Sequence, residues 1–511
     1  MKLFTNSEIA QIEQQTLAEE GITPIEMVTR VAESVAYEFM SIYKPERPVV
    51  VFAGPDTCGA YALEASRALA HAGYNPEIIL FNIGGNRLNQ ECSVMRGRLI
   101  DDEDASCDFI EVTGLQFTMP ELTRNTLVID GLFGSNFTGS LSGGYKYLVR
   151  SINESGAEIV SIDVPSGLSG DSTAGVIRND VIHAHLTFAI GVPRISFFMS
   201  ENGEVVGRWK VVDVGYSRKA MRAIRESFFL VEGADVRRLL PKRQLYASKA
   251  DFGHAIIFAG SYGMMGAAVL ATRGALRAGA GKVTCHSPRC GYFVMQTSVP
   301  CAMFDCDPGD AAIRSIELDR SYEAVALGPG MGTADFTIDA LEGFLKVANA
   351  NSRPLILDAD ALNCIARRPA LLSYLPVLSI LTPHAAEFDR LFGVHHSPEA
   401  RLMKAIEVAE FHKIIIILKG HHTTIVRPDG KVCINSSGTP ALATAGTGDV
   451  LTGVLAGLIA QGIKPELAAL AGVYVHGKAG EIAQSKHGTY GVTAEDVADS
   501  VGMAIKKLTD I

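Results

Sequence analysis

The chain has 511 residues, enough for two or more domains, and its 47% hydrophobic and 20% charged content fits well-packed globular protein. A formal net charge of −10, without a long basic run, argues against a nucleic-acid-binding surface. It leaves anionic ligands open, because backbone amides bind phosphate without net positive charge.

Nine cysteines, an odd number with no C-x-x-C pair, read as reduced thiols. The opening stretch MKLFTNSEIAQIEQQ lacks the apolar core of a signal peptide. The longest aliphatic run, Ile414 to Leu418, is far too short to span a bilayer. A cytoplasmic chain without membrane or nucleic-acid partners is expected.

In the first half, Ser7 to Met40 reads as one helix, with Ile9, Ile12, Leu17, Met27, Val31 and Val35 loosely spaced along a face. A strand from Pro48 to Ala53 ends at Gly54-Pro55, and a helical stretch with Leu63, Ala65, Leu69 and Ala70 follows. Strand-like runs recur at Glu77–Phe81, Leu127–Ile129, Glu158–Ile162 and Leu186–Ile190. Strands alternating with helices imply an α/β domain with a parallel sheet covered on both faces. Ligands in such folds bind beyond the carboxyl ends of the strands. Three of those ends carry polar residues: GPDTCGAYA from Gly54, DGLFG from Asp130 and DVPSG from Asp163. Each is also a good turn sequence, so a site and a turn are both open readings.

The wording of these segments resembles the N-terminal domain of NAD(P)H-hydrate epimerases over residues 1–217. The resemblance implies a Rossmann-like three-layer domain that binds potassium and interconverts the R and S forms of hydrated NAD(P)H. It implies Asp130 and Ser166 as potassium ligands and Asp163 as a catalytic or substrate-contacting acid. It implies Gly134, Ser135, Asn136, Phe137, Thr138, Gly139 and Ser140 as the loop along the substrate. The first loop departs from the family's G-x-G-N-N-G-G-D-G. Cys58 falls at the position of an Asn that would offer oxygen to potassium, and a thiol suits a hard cation poorly. Tyr61 replaces a small acidic residue, and the β-carbons of Ala60 and Ala62 are expected to crowd the loop. Weak or absent epimerisation is therefore expected.

In the second half, which begins near residue 225, His254 to Ala259 reads as a strand. Gly260, Ser261, Gly263 and Gly266 form the turn, and an alanine-rich helix opens at Ala267. Four more apolar strands end in GPGMG at Gly328, DADALN at Asp358, TPHAAE at Thr382 and KGHHT at Lys419. His384 reads either as a helix cap or as a substrate contact. Lys419 reads as a surface residue or as a contact to phosphate or nucleotide. Asp358 and Asp360 read as turn formers or as holders of a metal or polar group. His421 and His422 lack a metal-ligand pattern.

The stretch TAGTGDVLTGVLAGL, from Thr444, begins with small residues and continues with Val450, Leu451, Val454, Leu455 and Leu458 at helical spacing. A helix starting near Asp449 offers unpaired N–H donors and a positive dipole end beside Gly446, Thr447 and Gly448. Asp449 suits a base that takes a proton from an attacking hydroxyl, although Asp is also a common helix cap.

Residues 225–511 resemble the ribokinase-like superfamily and, within it, ADP-dependent NAD(P)H-hydrate dehydratase. That resemblance implies ADP as phosphoryl donor, Mg²⁺ with its phosphates, and release of NAD(P)H, AMP and phosphate. It implies Asp449 as the catalytic base and Ala267, Gly330, His384 and Asp449 as substrate-binding. It implies Lys419, Gly420, His421, His422, Thr423, Gly446, Thr447 and Gly448 as nucleotide-binding. Ala445, where many relatives carry glycine, is a mild departure. The rival is an ATP-dependent kinase of a vitamin-precursor alcohol in the same superfamily, for which a fused epimerase-like half has no evident use. The expected partner is the small-molecule hydrate, and a homo-oligomer is expected.

Overall fold

The computed structural model describes residues 1–510 except 115, 173–176 and 226. The chain divides into two compact units, Lys2–Glu226 and Ser227–Ile511 together with Met1.

The N-terminal unit opens with two helices, α1 (Asn6–Glu20) and α2 (Pro24–Ile42), where the periodicity suggested one. Gly21 ends α1 in the left-handed region at φ 70°. Thr23 caps α2 with Glu26 in a reciprocal box, and Pro24 takes the first helical position. Seven parallel strands follow: β1 (Val49–Ala53), β2 (Pro76–Phe81), β3 (Asp108–Val112), β4 (Leu127–Gly131), β5 (Glu158–Ile162), β6 (Leu186–Ile190) and β7 (Arg208–Val212). Their order is β3-β2-β1-β4-β5-β6-β7. The order reverses between β1 and β4, and that switch opens a crevice at the strands' carboxyl ends. The edge strands β3 and β7 escape a search for apolar runs because DFIEV and RWKVV alternate between exposed and half-buried residues.

The C-terminal unit contains β8 (Phe228–Val231), β9 (His254–Phe258), β10 (Lys282–Ser287), β11 (Met303–Cys306), β12 (Ala324–Leu327), β13 (Ile356–Leu357), β14 (Ile380–Leu381), β15 (Ile415–Leu418), β16 (Thr424–Val426) and β17 (Val432–Asn435). These run in the order β8-β17-β16-β15-β14-β13-β12-β9-β10-β11. From β15 through β11 every pairing is parallel, while β16 pairs antiparallel with both neighbours. The five strands singled out by sequence are contiguous, so their polar ends line one edge. The switch here lies between β9 and its neighbours β10 and β12. Strands β10, β11, β16 and β17 carry polar residues or are short, and an apolar-run reading passes over them.

Helix α3 (Met265–Ala278) and helix α4 (Thr447–Ala460) cross in backbone contact. A Cβ at Gly453 would lie 1.9 Å from the Ala271 carbonyl oxygen, so only glycine permits that approach. Val450, Val454, Leu455 and Ala456 are fully buried, which makes α4 a core helix rather than an amphipathic one. Its first turn is thereby held rigidly at the crevice.

Candidate active sites

In the N-terminal unit the ends of β1, β4 and β5 meet α1 around a cavity of about 700 Å³. Gly134 to Thr138 line it as expected. Gly139 and Ser140 do not, because the chain turns outward at Gly139 (φ 85°) and both are exposed. Asp163 sits on the cavity wall in the left-handed region at φ 69°, a conformation that costs a β-carbon residue roughly 1–3 kcal/mol and clusters at functional positions. Its Oδ2 accepts the Ser135 N–H at 2.8 Å, and its Oδ1 accepts Nε of Arg194 at 2.9 Å as well as Nη2. Asp163 and Arg194 are both buried, at 6% and 3% exposure.

The three candidate potassium positions come together but do not offer free oxygen. Asp130 is fully buried inside β4, not in a loop after it. Its carboxylate accepts Ser166 Oγ at 2.5 Å, Ser161 Oγ at 2.7 Å, Ser166 N at 2.9 Å and Leu132 N at 3.3 Å. Cys58 is buried, and its Sγ donates to the Ile162 carbonyl at 3.5 Å. Burial, with Asp163 and Asp130 nearby, holds that thiol well above its usual range, so it stays neutral. A saturated carboxylate beside a neutral thiol does not fit a hard cation. The expected crowding of the cavity fails for a simple reason. Thr57 to Ala62 are the first turns of a helix, and the β-carbons of Ala60 and Ala62 pack in the core with no exposure.

Tyr61, a departure from the family's loop, lines this cavity, and so do Glu13, Arg194 and Tyr216, which no motif in the sequence singles out. One signal was present. Ile9, Glu13 and Leu17 share a helix face at intervals of four, so a carboxylate interrupts an apolar stripe.

In the C-terminal unit Gly446 begins α4 at φ 90° and gives it no side-chain cap. The first-turn N–H groups therefore lack intrahelical acceptors and a side-chain cap, and only Thr447 N–H reaches a carbonyl, that of Thr444 at 3.4 Å. The Thr447 hydroxyl is spent on the Leu442 and Thr444 carbonyls, at 2.9 and 3.0 Å, and holds the turn closed. Asp449 is half-buried in that turn. Burial, then the neighbouring Asp358, raise its carboxyl to about 7 against the pull of Lys419.

Lys419 Nζ donates to Asp358 Oδ1 at 2.9 Å and lies 3.8 Å from Glu387. Asp358 Oδ2 accepts the Thr452 hydroxyl at 2.7 Å, one turn beyond Gly448. A Cβ at Gly448 would stand 3.4 Å from Lys419 Nζ, so the lysine lies against the anion turn. His384 does cap the helix Ala385–Phe392: its Nδ1 accepts Glu387 N at 3.3 Å, while the ring stays half-exposed. The backbones of His384 and Lys419 are bridged, which brings the ends of β14 and β15 side by side. Gly330 and Ala267 abut, 3.1 Å from a Cβ at the glycine to the alanine Cβ. Asp360 accepts the Gly332 N–H at 2.9 Å and Asn363 Nδ2 at 3.0 Å, a turn-forming role.

A cavity of about 450 Å³ adjoins the anion turn, lined by Lys419, Gly420, His421, Thr423, Thr447 and Gly448 among others. His422 does not line it. Its half-buried ring donates from Nδ1 to the Asn435 carbonyl at 3.2 Å, and burial lowers it to about 4. His476, absent from the motif reading, does line the cavity, donating Nε2–H to the Thr447 carbonyl at 2.9 Å. Burial lowers it to about 4, so it is neutral. Among the described residues no group of three or more His, Cys, Asp or Glu is arranged to hold a metal ion. None of the described helices is long and apolar enough to cross a membrane.

A family model for NAD(P)H-hydrate dehydratase matches residues 255–502, and one for the YjeF-related protein N-terminus matches residues 24–196. The bifunctional NAD(P)H-hydrate repair enzyme of Moorella thermoacetica is 32% identical, over 100% of this chain and 98% of its own. The chain belongs to the bifunctional NAD(P)H-hydrate repair enzymes. A second member of that family, from Thermofilum pendens, is 31% identical over 100% of this chain and 97% of its own. Among solved structures, an ADP/ATP-dependent NAD(P)H-hydrate dehydratase from Bacillus subtilis, co-crystallised with ATP/Mg²⁺, is 33% identical. It covers 54% of this chain and 97% of its own, with a TM-score of 0.48. The repair enzymes span both halves of the chain, so a vitamin-alcohol kinase is not favoured.

Proposed function

We propose that the C-terminal crevice dehydrates the S form of hydrated NADH or NADPH at the expense of ADP. The observation that carries this reading is the placement of Asp449. A half-buried carboxyl lies in a helix's first turn, beside open amides and the Lys419–Asp358 pair. A base raised to about 7 is half ionised near neutrality, the condition for taking a proton from a ring hydroxyl without being permanently charged. The hydroxyl oxygen attacks the terminal phosphorus of ADP and AMP leaves. The amides of Gly446 to Gly448 face the charge that develops on the transferred group, where such donors are worth several kcal/mol. Phosphate then leaves with the electrons of its carbon–oxygen bond, the neighbouring ring carbon gives up a proton to it, and the nicotinamide double bond is restored.

In this reading the 450 Å³ cavity takes the nucleoside end, with Lys419, Gly420, His421 and Thr423 on one wall and His476 beneath the anion turn. Ala267, Gly330 and His384 take the hydrate side. Magnesium arrives with the nucleotide's phosphates rather than in a protein cage, in keeping with its reluctance to shed water. Asp358 Oδ2 lies 3.9 Å from where a Cβ at Gly448 would stand, so its carboxylate is the one that would face the ion beside the anion turn. The ion would supply charge neutralisation there.

The N-terminal cavity has the room and the polar wall for the same hydrated dinucleotide. Epimerisation there is weak and does not run on potassium, since Asp130 and Cys58 are already satisfied. The reading is tested by incubating the protein with ADP or ATP and the S hydrate and resolving products by chromatography. AMP, phosphate and reduced dinucleotide formed in equal amounts from ADP support it. A phosphorylated alcohol without reduced dinucleotide contradicts it.

A further inference from the structure

The N-terminal cavity has a half-buried carboxyl on its wall that no motif in the sequence assigns. Three carboxylates line it: Asp56, Asp163 and Glu13. Asp56 is exposed at the rim. Asp163 is committed to Arg194 and to the Ser135 N–H. Glu13 alone projects from α1 into the wall, half-buried between Ile9 and Leu17, without an ion-pair partner among the described residues. Burial holds its carboxyl above the usual range, with Asp163 adding to the rise and Arg194 and the Tyr216 hydroxyl opposing it. A second feature of the same wall points to a ligand. Arg194 Nη1 is buried without any hydrogen-bond partner among the described residues, and an unpaired guanidinium donor costs free energy until an oxygen meets it. A carbonyl or phosphate oxygen of a bound molecule supplies that acceptor.

We propose that Glu13 is the catalytic acid and base that interconverts the R and S hydrates in this cavity. This rests on the reading that the cavity takes the hydrated dinucleotide. Water adds to the reduced nicotinamide as it does to any enamine, leaving the hydroxyl on the carbon beside the ring nitrogen. Glu13 gives its proton to that hydroxyl, the carbon–oxygen bond breaks, and water departs. The nitrogen lone pair forms the carbon–nitrogen double bond of an iminium, whose charge the Glu13 carboxylate offsets. The planar iminium ring turns about its bond to the ribose and presents its other face to Glu13, where a water molecule adds. Its oxygen bonds to the carbon, the π electrons return to nitrogen, and its proton returns to Glu13. Nothing is consumed, and no cation is required.

The test uses the full chain carrying Asp449→Asn, so that the S form is not drained, supplied with pure R hydrate in potassium chloride and in choline chloride. Conversion above the spontaneous rate is expected, equal in the two salts. Adding Glu13→Gln should return it to the spontaneous rate, and Glu13→Asp should keep part of it. Folding of Glu13→Gln is checked by circular dichroism and by its thermal melt, which should match the parent's, and its dehydratase rate on the S hydrate with Asp449 intact should be unchanged. The proposal is overturned if Glu13→Gln converts R hydrate as fast as its parent, if conversion requires potassium, or if the parent shows none. In each of those cases an intact dehydratase rate leaves the reading of the C-terminal site standing.

Discussion

Lys419 Nζ lies 2.9 Å from Asp358 Oδ1, and the other oxygen of that carboxylate takes the Thr452 hydroxyl at 2.7 Å. The pair joins the end of β15 to the end of β13 and to the second turn of α4. It fixes a cation against the anion turn, and burial does not strip its charge, because Asp358 and Glu387 hold the lysine above its usual range.

Replacing that lysine should therefore damage both binding and stability. Lys419→Met leaves Asp358 buried and unpaired, a loss of roughly 3–5 kcal/mol. ADP affinity, read by calorimetry, should fall by more than tenfold. Adding Asp358→Asn to Lys419→Met should recover part of the melting temperature and none of the affinity. Non-additive stability with unrecovered binding is the signature of a coupled pair that also touches ligand.

The pH dependence has a definite sign. Burial raises the Asp449 carboxyl to about 7 in the folded chain, so the native state binds its proton more tightly than the unfolded chain. Stability contributed by that proton is present at low pH and is lost as pH rises to about 7. Activity runs the other way, since the base must be ionised, and dehydration should rise through about pH 7. Asp449→Asn should abolish the rise and stabilise the fold at pH 8, by up to about 4 kcal/mol. Thermal melts at pH 5 and pH 8 check this; equal shifts at both would contradict it.

Much of this arrangement is legible in the sequence. The apolar strands His254–Phe258, Ala324–Leu327 and Ile415–Leu418 announce themselves because a strand buried on both faces is apolar along nearly all its length. The bare turn at Gly446 is equally plain. The edge strands β3 and β7 were hidden because their polar faces dilute the apolar signal. Thr452 and His476 were hidden because their roles lie in partners far along the chain. Thr452 reaches Asp358 across 94 positions, and no local pattern encodes such a pairing. The single helix expected over residues 7–40 divides at Gly21, Thr23 and Pro24, three local signals that an apolar-periodicity count ignores.

The contact between α3 and α4 gives a structural prediction. Gly453→Ala places a methyl 1.9 Å from the Ala271 carbonyl oxygen. The helices must separate, at a cost on the order of 1–3 kcal/mol for overpacking. Because α4 carries Asp449 into the crevice, the dehydratase rate should fall even at temperatures where the variant stays folded. A full rate in a folded variant would show that the first turn is not held by this seam.

Cys58 gives a prediction for the N-terminal cavity. Cys58→Asn supplies the oxygen that the thiol withholds, next to Asp130 and Ser166. R-to-S conversion in that variant should acquire a dependence on potassium that the parent lacks, measured against choline chloride. An unchanged salt response would mean that the saturated Asp130, rather than the thiol, is what excludes the cation.

The most direct test of the account is the recovery of reduced-nicotinamide absorbance from S hydrate and ADP. The unsubstituted protein should regenerate it, with AMP and phosphate in step. Asp449→Asn should slow it by at least a hundredfold, with ADP affinity unchanged within about threefold. Regeneration by Asp449→Asn at the parental rate would contradict the claim that this carboxyl takes the proton of the hydrate's hydroxyl.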